Sequence, residues 1–84
     1  METPTWLDKT MIRVTLDARP LLESGQHPLQ SVIEGSSVLK PGEIYEIITP
    51  FPPVPMVEKM TALNFRDFTQ RTNDGMFHTY FQKL

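Results

Sequence analysis

Four short apolar-rich segments of this 84-residue chain have the patterns and turn signals of β-strands, and they predict four strands. They cover residues 10–17, 43–49, 65–72 and 76–82. In the first segment Ile12, Val14 and Leu16 share one face, which is typical of a half-buried strand. The second segment is apolar on both faces, which favours an interior strand. Residues 73–75, Asn-Asp-Gly, join the last two segments and are a strong hairpin signal.

Two further segments repeat apolar residues at helical spacing and predict two α-helices. The first begins at Pro28, because a proline at the first helical position loses no hydrogen bond. Its apolar face consists of Leu29, Val32, Ile33, Ser36 and Leu39, and residues 40–42, Lys-Pro-Gly, end it. The second begins at Pro55 and ends near Asn64, a residue that tolerates the left-handed conformation. Residues 19–26 contain Pro20 and Gly25, and we expect them to form a loop.

The predicted order is βαβαββ, which indicates an α+β fold with two layers. A crossover helix joins the first two strands, so these strands should be parallel and the crossover right-handed. Both helices should cover one face of a four-stranded sheet. We expect residues 10–84 to form this single domain. Residues 1–9 are expected to be a flexible leader, because Pro4 and its polar neighbours interrupt any periodicity.

Composition narrows the function classes. Hydrophobic residues make up 39% of the chain, enough for a core, and there is no cysteine for a disulfide or a thiolate. The net charge is −2 and the eight Lys and Arg residues are scattered, so nucleic-acid binding is not expected. No apolar run approaches the ~20 residues that span a bilayer, and the start has no signal-peptide pattern. We therefore expect a cytoplasmic domain without a membrane partner.

Several landmarks together resemble the TusA/SirA-like sulfur-carrier family. They are residues 16–19 (Leu-Asp-Ala-Arg), the helix start at Pro28, residues 40–43 (Lys-Pro-Gly-Glu) and the closing hairpin. The sulfur carriers have Cys-Pro-x-Pro where residues 26–30 here read Gln-His-Pro-Leu-Gln. Residues 25–29 and 50–55 resemble more closely a cysteine-less, uncharacterised branch of the family, often found beside hemerythrin-like domains. The resemblance implies a mixed sheet whose last strand is antiparallel to the others.

The missing cysteine bears directly on function. Persulfide transfer needs a thiolate, which this chain cannot supply, so we do not expect a sulfurtransferase. The leading hypothesis is a non-enzymatic binding module without cofactor or metal, whose partner is a protein or a small anion. The alternative is an accessory protein in metal, haem or nitrogen-oxide metabolism that uses His27 as ligand or acid/base group. A third hypothesis, RNA binding, is disfavoured by the acidic charge balance.

The first candidate site is the corner that contains Arg19, Gln26 and His27. Both predicted helices should start at this end of the sheet, where helix dipoles and unpaired N–H groups favour an anion or a partner's carboxylate. Ligands of α/β sheets also tend to bind at the carboxyl ends of parallel strands. The structural alternative is that His27 caps the helix or fixes the loop. Similarly, Asp17 and Arg19 either recognise a ligand or hold the strand end by an ion pair.

The second candidate site is the sheet face that carries no helix. The residues predicted to point there are Met11, Ile44, Ile48, Met76 and Tyr80. An exposed apolar patch of this kind suggests a protein partner or a homodimer. The alternative is a face diluted by Arg13, Glu46 and His78 that needs no partner. Because His78 points to this face and His27 lies at the end of the sheet, no metal site within the chain is expected.

Overall fold

The computed structural model describes residues 3–84 and has the predicted two-layer α+β architecture. Within these residues the strands are β1 (Ile12–Asp17), β2 (Ile44–Thr49), β3 (Phe65–Arg71) and β4 (Phe77–Lys83). The helices are α1 (Arg19–Glu23), α2 (Leu29–Ser36) and α3 (Val54–Ala62), with a short 3-10 helix at Lys9–Met11. No helix in residues 3–84 has the length and hydrophobicity needed to cross a membrane.

The sheet is mixed, and its strands lie in the order β1-β2-β4-β3. β1 and β2 are parallel, as the crossover predicts, whereas β4 is antiparallel to both of its neighbours. The hairpin between β3 and β4 is confirmed, with Gly75 at φ 82°. Asn64 ends α3 at φ 69°, the left-handed conformation that its short polar side chain tolerates.

The prediction of a loop over residues 19–26 was wrong, because its first part is α1. Pro20 lies in the first turn of this helix, where a proline lacks only an N–H that would be unpaired anyway. The backbone N–H of Leu22 donates to the carbonyl of Ala18 at 3.0 Å, and that of Ser24 to Pro20 at 3.2 Å. Pro20 was therefore a helix-start signal, as Pro28 and Pro55 were.

The core lies between the sheet and the helices, on the face that strand alternation predicts. β1 contributes Val14 and Leu16, and β2 contributes Tyr45 and Ile47. The fully buried members of the core are Ala18, Val32, Ile47, Met60 and Phe81. Burial of these side chains fixes the position of α2 and α3 on the sheet, and therefore where both helices begin.

The N-terminal segment lies over one end of the helix-free face. Met1 and Glu2, the first residues of the predicted leader, lie outside the described residues. The guanidinium of Arg66 is 5.0 Å from the centre of the Trp6 ring. Arg66 pairs with Gln82 across β3 and β4, and Gln82 pairs with Ile44 across β4 and β2. Ile44 points away from the helices and yet is completely buried, so this end of the face is covered.

Candidate functional site

A pocket of about 80 Å³ opens where α2 and α3 begin, beside the carboxyl end of β2. Its lining is formed by Leu22, His27, Pro28, Thr49, Phe51, Pro53, Pro55 and Met56. His27 and α3 therefore meet at one site, as the topology of the crossover predicts. The other lining side chains are apolar except for Thr49, so the pocket is predominantly apolar and His27 is the one titratable residue in its lining.

The proline-rich connector between β2 and α3 explains why the pocket wall is apolar. Proline has no N–H, so Pro53 and Pro55 bring no unpaired backbone donor into the wall. The hydroxyl of Thr49, which lies at the start of the connector, donates to the carbonyl of Phe51 at 2.6 Å. This hydroxyl is therefore not free to bond to a ligand. The N–H of Val54 donates to the carbonyl of Pro52 at 3.0 Å. These two donors of the connector are therefore bonded within the connector itself, and the prolines contribute apolar surface.

His27 is one of the residues that line the pocket, and it is exposed. The alternative that its side chain caps α2 is not supported, because the N-cap residue is Pro28 and no side chain bonds to the cap. Gln26 is also exposed, and its backbone N–H donates to the carbonyl of Leu21 at 2.9 Å. Gln26 and Arg19 do not line the pocket, so the predicted trio of corner residues is only partly brought together.

The side chain of Arg19 forms an ion pair with the carboxylate of Asp17. Its Nη2 lies 2.6 Å from one Asp17 carboxylate oxygen and its Nε lies 2.9 Å from the other. The backbone N–H of Arg19 donates to the same carboxylate at 3.1 Å. These hydrogen bonds from Arg19 lower the pKa of Asp17 to about 2. Of the two alternatives, the structure shows the ion pair at the strand end, and this pair already neutralises the guanidinium towards an incoming anion.

The Asp17–Arg19 pair predicts how stability depends on pH under acidic conditions. Because the pKa of Asp17 falls from 3.8 to about 2 on folding, its contribution is present above about pH 4 and is lost between pH 4 and pH 2. We expect Asp17→Asn to reduce the loss of stability in this window, as measured by denaturant unfolding at several pH values. Glu58→Gln, at an exposed position of α3, is the control. An equal loss in wild type and Asp17→Asn would contradict the assignment.

The helix-free face differs from the apolar patch that the sequence predicts. Ile44 is completely buried and Tyr80 is only 3% exposed, so neither is free for a partner. Met11, Ile48 and Met76 are half-buried. The prediction of an exposed apolar patch was therefore wrong for Ile44 and Tyr80. Alternation shows to which face a residue points, but it cannot show whether another segment covers that face.

A polar cluster that sequence reasoning missed lies on this face. The Thr15 hydroxyl donates to Oε1 of Glu46 at 3.0 Å, and Nδ1 of His78 lies 2.7 Å from Oε2 of the same carboxylate. The side chains of Glu46 and His78 are 13% and 22% exposed, so this contact is largely withdrawn from water. Tyr80 pairs with Glu46 across β2 and β4. The available signal was a single acidic residue within the apolar second strand.

The environment of Tyr80 predicts an alkaline transition. Burial, and then the charge and hydrogen bond of Glu46, raise the pKa of Tyr80 to about 12. Because this folded value is above the ordinary value of 10, the associated stability is full below pH 10 and is lost between pH 10 and pH 12. We expect Tyr80→Phe to lose less stability across this window than wild type. Tyrosinate absorbance is the direct measurement. If half of the total change in tyrosinate absorbance had occurred by pH 10 in the folded chain, the raised pKa of Tyr80 would be contradicted.

No cluster of three or more His, Cys, Asp or Glu residues that could hold a metal ion occurs in residues 3–84. His78 lies against Glu46 in the sheet, whereas His27 lies at the pocket. No protein-family model, curated protein or solved structure matches this chain.

Proposed function

We propose that this protein is a non-enzymatic interaction module that receives an apolar side chain of a partner protein in the pocket beside His27. The observation that carries the proposal is the pocket itself, which has apolar walls and includes the exposed His27 in its lining. The two segments that carry the resemblance to the cysteine-less TusA-like branch, residues 25–29 and 50–55, contribute His27, Pro28, Phe51, Pro53 and Pro55 to this lining.

The size of the pocket favours a side chain over a small-molecule ligand. Pockets for drug-sized ligands usually enclose ~300–1,000 Å³, whereas this one encloses about 80 Å³. A haem group or a nucleotide would not fit. A single aliphatic or aromatic side chain that projects from a larger partner is of suitable size.

The surroundings of the pocket favour a macromolecular partner. Phe51 and Val54 beside it are 48% and 57% exposed, which is high for large hydrophobic side chains. A partner that inserts a side chain would also cover these two residues, and each Å² of apolar surface removed from water contributes ~25 cal/mol. A small anion would gain neither contribution, and Arg19 is already paired with Asp17.

The chemistry of the lining favours reversible binding. Covalent sulfur transfer requires a thiolate, and the chain has no cysteine. The Thr49 hydroxyl donates to the carbonyl of Phe51, so His27 is the polar lining side chain that forms no hydrogen bond within residues 3–84. We infer that His27 selects a partner with a polar group next to its apolar anchor.

The proposal is tested with peptides selected from a random display library against the wild-type chain. We expect Leu22→Trp, which fills the pocket from α1, to weaken the selected peptides at least ~10-fold, equivalent to about 1.4 kcal/mol. Leu63→Trp is the matched control, because this residue lies at the far end of α3 and is 40% exposed. His27→Ala should weaken binding less, because it removes a hydrogen bond and leaves the cavity open.

Two outcomes would count against this function. Selected peptides that bind Leu22→Trp as tightly as wild type would show that the pocket is not their site. Stoichiometric binding of iron, copper or zinc that is lost in His27→Ala would favour the accessory role in metal metabolism instead. Circular dichroism of each variant separates a lost site from a lost fold.

A further inference from the structure

β3 forms an edge of the sheet, and its outer side presents unpaired backbone groups. The N–H of Thr72 donates to the carbonyl of Met76, and the N–H of Leu84 donates to the carbonyl of Asn64. In an antiparallel pair these groups alternate in direction, so even-numbered residues of β3 bond to β4. The N–H and C=O groups of Phe65, Asp67, Thr69 and Arg71 therefore point to the free edge.

The free edge carries two opposite charges, Asp67 and Arg71, each two residues away from Thr69. Both residues are exposed, and neither belongs to an ion pair within residues 3–84. The Arg71 guanidinium lies 5.9 Å from the centre of the Phe77 ring. The other edge strand, β1, is different, because its Arg13 pairs with Glu43 and its Asp17 with Arg19.

We propose that β3 pairs with β3 of a second copy of this chain, antiparallel and centred on Thr69. In this register the outward N–H and C=O groups of Thr69 bond to the same groups of the second copy. Asp67 then lies opposite Arg71 of the second copy, and Arg71 opposite its Asp67. The pairing forms about six backbone hydrogen bonds and two ion pairs, and it joins two four-stranded sheets into one.

Charge complementarity favours this register, and it favours a second copy of the chain as the partner. Centring the pair on Asp67 or on Arg71 would place like charges opposite each other, which is destabilising. A pair centred on Phe68 would bring Asp67 opposite Thr69 and would leave both charges unpaired. A second copy carries the required sequence in the required order, because the two charges are equally spaced on either side of Thr69.

The test is sedimentation equilibrium of the full chain over a range of concentrations. We expect wild type to approach twice the 9.7 kDa monomer mass. Asp67→Arg or Arg71→Asp, each measured alone, should weaken the dimer at least ~10-fold through like-charge repulsion. Mixing these two variants should restore it, because each then carries the charges that complement the other. The double variant D67R/R71D should also dimerise.

Glu58→Arg, an exposed acid-to-arginine change on α3, is the matched control and should leave the mass unchanged. A wild-type chain that stays monomeric at about 1 mM would overturn the proposal. A dimer that persists in Asp67→Arg, or a mixture of the two variants that stays monomeric, would overturn it as well. Peptide binding at the pocket is independent of this edge, so its outcome is read separately.

Discussion

Replacing Gly35 with alanine is expected to lower the free energy of unfolding by about 1–2 kcal/mol, although this change normally stabilises a helix interior. A Cβ at position 35 would lie 2.7 Å from Cε2 of Tyr45 and 3.2 Å from its hydroxyl oxygen. Tyr45 is only 3% exposed and lies in an interior strand, so its ring cannot move away without disturbing the core. Gly35 is therefore the point where α2 packs closely on β2.

A double-mutant cycle separates this contact from helix propensity. Tyr45→Leu removes the ring, so Gly35→Ala in that background should be neutral or stabilising. Ser31→Ala, at an exposed position of the same helix, is the control and should stabilise slightly. Urea unfolding monitored by circular dichroism gives the free energy of unfolding of wild type and of each of these four variants. Stabilisation by Gly35→Ala in the wild-type background would contradict the close packing.

Replacing Glu46 with alanine is expected to lower the free energy of unfolding by about 2 kcal/mol. The change removes the acceptor of the Thr15 hydroxyl and the partner of His78 in a largely buried setting. The largely buried His78 ring would then lose its partner and have restricted access to water, whereas the exposed Thr15 hydroxyl could still bond to water. Denaturant unfolding at neutral pH measures the effect.

Glu46→Gln is the informative companion, because an amide keeps the shape and can still accept a hydrogen bond from Thr15. We expect it to cost clearly less than Glu46→Ala. Glu58→Ala, at an exposed position of α3, should change stability by less than about 0.5 kcal/mol. If Glu46→Ala were as mild as Glu58→Ala, the cluster on the helix-free face would not contribute to the fold.

The sequence was sufficient for those features that are set by local patterns. Alternation identified β1 and β2 and their inner faces, as Val14 and Ile47 show. The left-handed stop at Asn64 and the hairpin around Gly75 follow from backbone preferences of single residues. The meeting of His27 with the start of α3 follows from the handedness and order of the elements, which is a rule of topology.

The remaining features depend on contacts between distant segments. Ile44 is buried although it lies on the helix-free face, which alternation alone predicts to be open. The Trp6–Arg66 stack lies at the same end of that face. The Glu46–His78 pair depends on the register of β2 against β4, which no local pattern determines. α1 was missed because Pro20 signals a loop and a helix start equally well.

The most direct test of the central claim is an NMR titration of the methionine methyl groups with a selected peptide. Met56 lines the pocket, whereas Met11 and Met76 lie on or beside the helix-free face, so the methyl signals report on both surfaces. We predict that the Met56 methyl and the His27 ring protons shift with one common affinity, while Met11 and Met76 stay unchanged. A saturating titration that moves Met11 or Met76 and leaves Met56 and His27 unchanged would contradict the pocket as the binding site.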